Sequence, residues 1–189
     1  IRQYMEMYGS GLSGVIVMGT GAQPGVALFF GKLLCKVIAA FKGDDYRSAF
    51  VDNMAFGGYN KRFEPARTDK DWLTRDEKEV DAYLANPWCT FRFTVNAYYH
   101  MFCGIEYAQK KENIEKIPKD LPLYRVAGSD DPVGNFGKGV ENVAKTYREC
   151  GIKDVSLKLY EKDRHEILNE LDRQTVYEDI LAWVEAHLI

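Results

Sequence analysis

Leu121-Pro122-Leu123-Tyr124-Arg125-Val126-Ala127, running into Gly128-Ser129-Asp130-Asp131-Pro132-Val133, is the stretch that decides the fold of this chain. Its first half is an apolar run with little polar alternation, which suits a strand covered on both faces. Lys138 to Cys150 then carries Val140, Val143, Ala144 and Tyr147 at helical spacing, with Gly151 as a stop. Val155 to Tyr160 reads as the next strand, and Val176, Ile180, Trp183, Val184 and Leu188 mark a closing amphipathic helix. Strand, helix, strand, helix in that order predicts parallel strands joined by right-handed crossovers, so the fold class is α/β.

The pattern extends upstream. Arg2 to Tyr8 predicts a helix, with Gly9 as a left-handed cap. Val15-Ile16-Val17-Met18 predicts a third parallel strand, and Gly19-Thr20-Gly21 a turn away from it. From 22 to 118 the periodicity is helical. Phe29/Phe30, Leu33/Leu34, Val37/Ile38 and Phe41 repeat along one segment, and Phe91, Val95, Tyr98, Phe102 and Ile105 step along another. Between them, Thr74 and Glu77 have the spacing of a capping box for a helix carrying Val80 and Leu84. The predicted organisation is therefore 1–21 as a helix plus one core strand, 22–118 as an inserted helical cap, and 119–189 as a C-terminal α/β core. The apolar residues of the two long helices are expected to pack between cap and sheet, with some lining an apolar channel. Asp44, Asp45, Lys61, Arg62 and the charges from Asp69 to Glu79 read as solvated surface.

Composition narrows the function classes. The 189 residues are 46% hydrophobic and 28% charged, with a formal net charge of −3 and no dense basic stripe, which argues against nucleic acid as a partner. The four cysteines have no regular spacing and no secretory leader opens the chain, so a cytoplasmic location is expected. The longest apolar stretch, 25–41, contains Lys32 and Lys36 and is short for a membrane span. In Gly19-Thr20-Gly21-Ala22-Gln23-Pro24-Gly25 the third glycine of a dinucleotide fingerprint is out of register, so a turn is the better account. Cys89, His100 and Cys103 lack paired zinc spacing and read as part of a packed helix. His187 reads as a solvated cation near the negative end of its helix. No metal or organic cofactor is expected.

Asp131 and His165 carry the chemistry. Each follows a predicted strand by a few residues, where sites of open parallel sheets form. Neighbouring strands lie about 4.8 Å apart, so the two loops can meet. A carboxylate accepting from one imidazole nitrogen fixes the tautomer and leaves the other nitrogen to take a proton from a nucleophile. Asp130 is a rival for the acid. Pro132 biases Asp131 towards extended backbone.

Gly-Ser-Asp-Asp-Pro-Val after a strand, then Leu159-Tyr160-Glu161 with Arg164-His165-Glu166 and Asn169-Glu170, resembles the α/β-hydrolase superfamily. Asp71-Trp72-Leu73-Thr74-Arg75-Asp76, with Asn86-Pro87 behind it, resembles the helical cap of the lysophospholipase and monoacylglycerol-lipase-like serine hydrolases. The resemblance implies Asp131 as the acid and His165 as the general base. It also implies a serine in a Gly-x-Ser-x-Gly elbow between a strand and a helix. None of the five serines (10, 13, 48, 129 and 156) has those flanking glycines. The Arg2–Tyr8 helix resembles the one after the elbow, which places the expected serine just upstream of Ile1. The chain, which does not begin with Met, is thus expected to be the C-terminal part of such a fold. It is expected to be inactive alone and to need about 100 or more upstream residues of the same protein to close its core.

The implied reaction is hydrolysis of a carboxylic ester, a lysophospholipid or monoacylglycerol, through an acyl-enzyme. Transient contact of the cap with a membrane surface accompanies it. The alternatives are peptidase, epoxide hydrolase or dehalogenase chemistry, or a non-catalytic binding protein of the same fold.

Overall fold

A computed structural model describes residues 1–187; Leu188, expected on the inner side of the last helix, lies outside the described residues. Three strands form one parallel sheet in the order β1-β2-β3: β1 Val15–Met18, β2 Leu123–Gly128 and β3 Val155–Tyr160. Val15 pairs with Leu123, and Leu123 with Val155. Every residue of β2 is buried, which explains its unbroken apolar reading.

Helix α1 (Arg2–Tyr8) precedes β1. Gly9 does not take the expected left-handed cap: its φ is −63°, and it opens a tight turn over Gly9–Gly11. Between β1 and β2 lie α2 (Gly25–Lys42), α3 (Ala49–Phe56), α4 (Glu77–Ala85), α5 (Val95–Gln109) and α6 (Lys111–Ile114). Helix α7 (Lys138–Glu149) joins β2 to β3, and α8 (Arg173–His187) closes the described chain.

One core lies beneath the sheet, where Met5, Val15, Val17, Leu123, Val143 and Tyr147 pack together. The opposite face is covered by Val176 with Ile180 and Trp183 of α8, the Trp183 ring stacked on Tyr124 at 5.4 Å. A separate core binds α2 to α5 through Leu28, Cys35, Tyr98 and Phe102, with Val51 of α3. The apolar pattern of α2 serves two sides, because Phe29, Phe30, Leu33, Val37 and Phe41 are exposed. Phe91 does not join the α5 face. That helix starts at Val95, where the Thr94 hydroxyl accepts from Ala97 N–H, and Phe91 stacks edge-on with Phe93 outside it.

Thr74 and Glu77 form no capping box. Asp76 caps α4 by accepting from Lys78 N–H at 3.1 Å, and the Thr74 hydroxyl instead donates to Asn169 O at 2.9 Å. His187 is paired and not merely solvated, since its ring stacks on Trp183 at 4.2 Å with Nε2 3.1 Å from Asp154. That carboxylate and the Trp183 carbonyl raise its pKa, the carbonyl most. All four cysteines are free thiols. Among the described residues, no helix is long and apolar enough to cross a membrane.

Candidate active site

The loops after β2 and β3 meet because Gly128 ends β2 without a side chain. A Cβ at this position would overlap the carbonyls of Asp163 and Arg164 in the opposing loop. Ser129 N–H and Asp130 N–H donate to Tyr160 O and Asp163 O at 2.8 and 2.9 Å, and Lys162 N–H donates back to the Ser129 hydroxyl at 2.8 Å. These bonds fix the relative height of the two loops before any side chain is considered.

Asp131 is wholly buried, and both its carboxylate oxygens stand 3.1 Å from His165 Nδ1. Val133 N–H also donates to its Oδ1, at 2.8 Å. Asp130 points elsewhere, with its carboxylate 3.5 Å from the Arg62 guanidinium. The geometry therefore selects Asp131 over Asp130 as the histidine's partner. Beyond the acid, Asn135 and Phe136 take left-handed backbone, φ 48° and 54°. Phe136 N–H is bonded to Asp131 O at 2.9 Å, and Arg62 covers the Phe136 ring at 4.3 Å. Arg62, expected as solvated charge, keeps about half of its side chain exposed while resting on the acid loop.

His165 is partly exposed, and its Nε2 has no protein partner among the described residues. The ring packs against Trp72 at 5.2 Å and against Gly19 at the end of β1. Gly19 has φ +53°, and a Cβ there would sit 3.0 Å from His165 Cε1. The Gly19-Thr20-Gly21 turn therefore serves the histidine as well as the chain reversal. Beside it opens a cavity of about 480 Å³, lined by Gly19 and Thr20, by Arg2, and by Met101, Ile105 and Ala108 of α5.

Of the charges from Asp69 to Glu79, read as solvated surface, Arg75 instead turns inward, and the segment 71–76 lies against the histidine loop. His165 N–H and Glu166 N–H donate to Trp72 O and Leu73 O, at 3.4 and 2.7 Å. Arg164 donates to Asp71 O and, at 3.2 Å, to Thr74 O, while its guanidinium lies 4.2 Å over Phe63. Arg75 Nε donates to Glu170 at 2.9 Å, and its Nη2 bonds both Asp163 and Asp172. Burial, then the neighbouring carboxylates, pushes Asp163 up to about 7. Arg75 is the residue that sequence reasoning missed.

Among the described residues, Asp163, Glu170 and Asp172 are the sole group of three or more whose potential metal-ligating atoms lie within 4.8 Å of one another, and Arg75 already bonds all three. Cys89, His100 and Cys103 form no such group.

Residues 1–172 match the family described as serine aminopeptidase, S33. The chain belongs to the serine aminopeptidase S33 family. The parallel sheet with its flanking helices is that of an α/β-hydrolase fold. A highly thermostable carboxyl esterase from Bacillus coagulans, solved with glycerol, is similar over all of this chain at 28% identity and a TM-score of 0.90. A monoacylglycerol lipase of Paleococcus ferrophilus (18% identity, TM-score 0.67, 99% of this chain) and a soluble variant of the monoglyceride lipase of Saccharomyces cerevisiae (19%, 0.66, 99%) share the fold. The S33 chain described here spans 61%, 64% and 61% of those three chains. No curated protein matches it in sequence.

Proposed function

We propose that this S33-family protein hydrolyses carboxylic esters through an acyl-enzyme, with monoacylglycerol or lysophospholipid as substrate. The observation that carries this reading is the buried Asp131 carboxylate on His165 Nδ1, with Nε2 left free. In that tautomer Nε2 takes the proton of a serine hydroxyl as its oxygen attacks the ester carbonyl. His165 then returns the proton to the departing alcohol, and Asp131 stabilises the imidazolium between the two events. Water repeats the sequence in reverse and releases the acid. The attacking serine is proposed to precede Ile1; none of the chain's own serines is hydrogen-bonded to His165 among the described residues.

The cavity supports an apolar acyl group. Its walls include Val17, Met18, Met101, Ile105 and Val133, and among the described residues no carboxylate lines it. A peptide amino terminus is a cation and needs an anionic partner when buried, whereas Arg2 in the cavity wall carries the same positive charge. An ester is thus favoured over an aminopeptidase substrate. Residues 22–118 are proposed to act as a lid, whose exposed Phe29, Phe30, Leu33 and Phe41 would make transient contact with a lipid surface.

The test is turnover by the complete natural protein of four substrates: a 4-nitrophenyl ester, a monoacylglycerol, a lysophospholipid and an aminoacyl anilide. Esters are expected to turn over and the anilide not. Hydrolysis of the anilide at a comparable kcat/KM would contradict the reading.

A further inference from the structure

We infer that Arg75 is a positioning residue for His165, holding the histidine loop closed from a segment ninety residues away in the chain. The inference rests on the reading of His165 as general base. Asp163, Glu170 and Asp172 flank the histidine on both sides, and Arg75 bonds all three. The first two are wholly buried. Carboxylates brought so close repel one another unless a cation stands between them, and a planar guanidinium can bond several at once. An ammonium offers a single point charge, so lysine does not span the three.

The same strap reaches the histidine's own backbone. Trp72 O and Leu73 O accept from His165 and Glu166, Thr74 holds Asn169, and Arg75 N–H donates to Glu170 at 3.2 Å. Glu170 also accepts from Arg164 N–H at 2.8 Å, next to the histidine. Arg75 is therefore where the ionic and backbone parts of the clamp join. Without it the loop loses the guanidinium that ties positions 163, 170 and 172 to the 71–76 strap, whether or not those side chains carry charge, and the contact most exposed to that loss is His165 Nδ1 on Asp131. Misplacement of a reacting group by about 1 Å costs on the order of 100-fold in rate.

The test uses the complete natural protein with Arg75→Lys, Arg75→Met and the triple variant Arg75→Met/Asp163→Asn/Glu170→Gln. The triple variant removes the buried carboxylates along with the cation, so it keeps the fold where Arg75→Met alone loses it. Three quantities are read: the melting temperature, kcat and KM on a soluble ester, and the downfield proton resonance of His165 Nδ1–H. In the triple variant kcat is expected to fall about 100-fold with KM little changed, and the downfield resonance to be lost, at near-native melting temperature. Arg75→Lys is expected not to restore kcat. A triple variant with native kcat and an intact resonance would overturn the inference. His165→Ala, measured in parallel, separates the two readings. If it still turns over ester, the role of His165 falls and this inference with it; if it is inactive while the Arg75 variants match the parent, only the positioning role falls.

Discussion

His165 Nδ1 stands 3.1 Å from both oxygens of Asp131, though 34 residues separate the two in the chain. The carboxylate is wholly buried and the ring partly exposed, so the acid is held and the base can be reached. The buried acid fixes the ring nitrogen that faces it, which decides where the other nitrogen can work.

Replacing Asp131 by Asn keeps its shape but removes the charge that stabilises the imidazolium. Activity of the complete protein on a soluble ester is expected to fall about 10⁴-fold. Asp130→Asn, whose carboxylate faces Arg62 at the surface, is expected to stay within a few-fold of the parent. Steady-state kinetics on the pair checks both, and equal losses would show that the wrong acid has been chosen.

Gly19→Ala sets a methyl group against the histidine ring at a position with φ +53°. The backbone cost is roughly 1–2 kcal/mol, to be read from urea unfolding. The ring must also shift, so the loss of kcat is expected to exceed what the fraction of unfolded protein accounts for.

Glu6 is buried on α1, neither carboxylate oxygen has a protein partner among the described residues, and burial raises its pKa from 4.5 to about 7. The folded state therefore binds a proton more tightly than the unfolded one, and this group's contribution to stability is lost as pH rises from 4.5 through 7. Glu6→Gln is expected to match the parent in melting temperature near pH 4 and to exceed it at pH 8. A constant difference across that range would contradict the assignment.

Arg125 is fully buried in β2 under the Tyr147 ring, at 5.1 Å, and no guanidinium nitrogen has a hydrogen-bond acceptor among the described residues. Burial lowers its pKa to about 10, so it remains charged at neutral pH. An unpaired buried charge is costly, and replacing buried ionic groups by apolar ones of similar volume often stabilises by about 1–4 kcal/mol. Arg125→Leu is expected to raise the urea midpoint. A lower midpoint would mean that the stacking on Tyr147 outweighs the desolvation.

Much of the fold was legible because parallel strands leave unalternated apolar runs. Val155–Tyr160 was read at its observed limits, and the four residues assigned to the inner side of α7 are all buried. Asp131 and His165 could be named from their positions just beyond strand ends and from the resemblance of the motifs around them, and the structure brings the two side chains together. Arg75 was not, because its partners lie 88 to 97 residues away and nothing along the chain marks an arginine that meets them. Thr74 misled in a similar way: its spacing to Glu77 suited a cap, but its hydroxyl donates to a carbonyl of the histidine loop and accepts from Asp76 N–H, and Asp76 caps the helix. On α2, periodicity marked apolar residues without saying which side would meet α5.

The most direct measurement is labelling of the complete natural protein by a fluorophosphonate, followed by intact mass and peptide mapping, beside its His165→Ala variant. The account predicts one adduct on a serine upstream of Ile1 in the parent and none in the variant. Equal labelling of both, or no labelling of the parent, would contradict it.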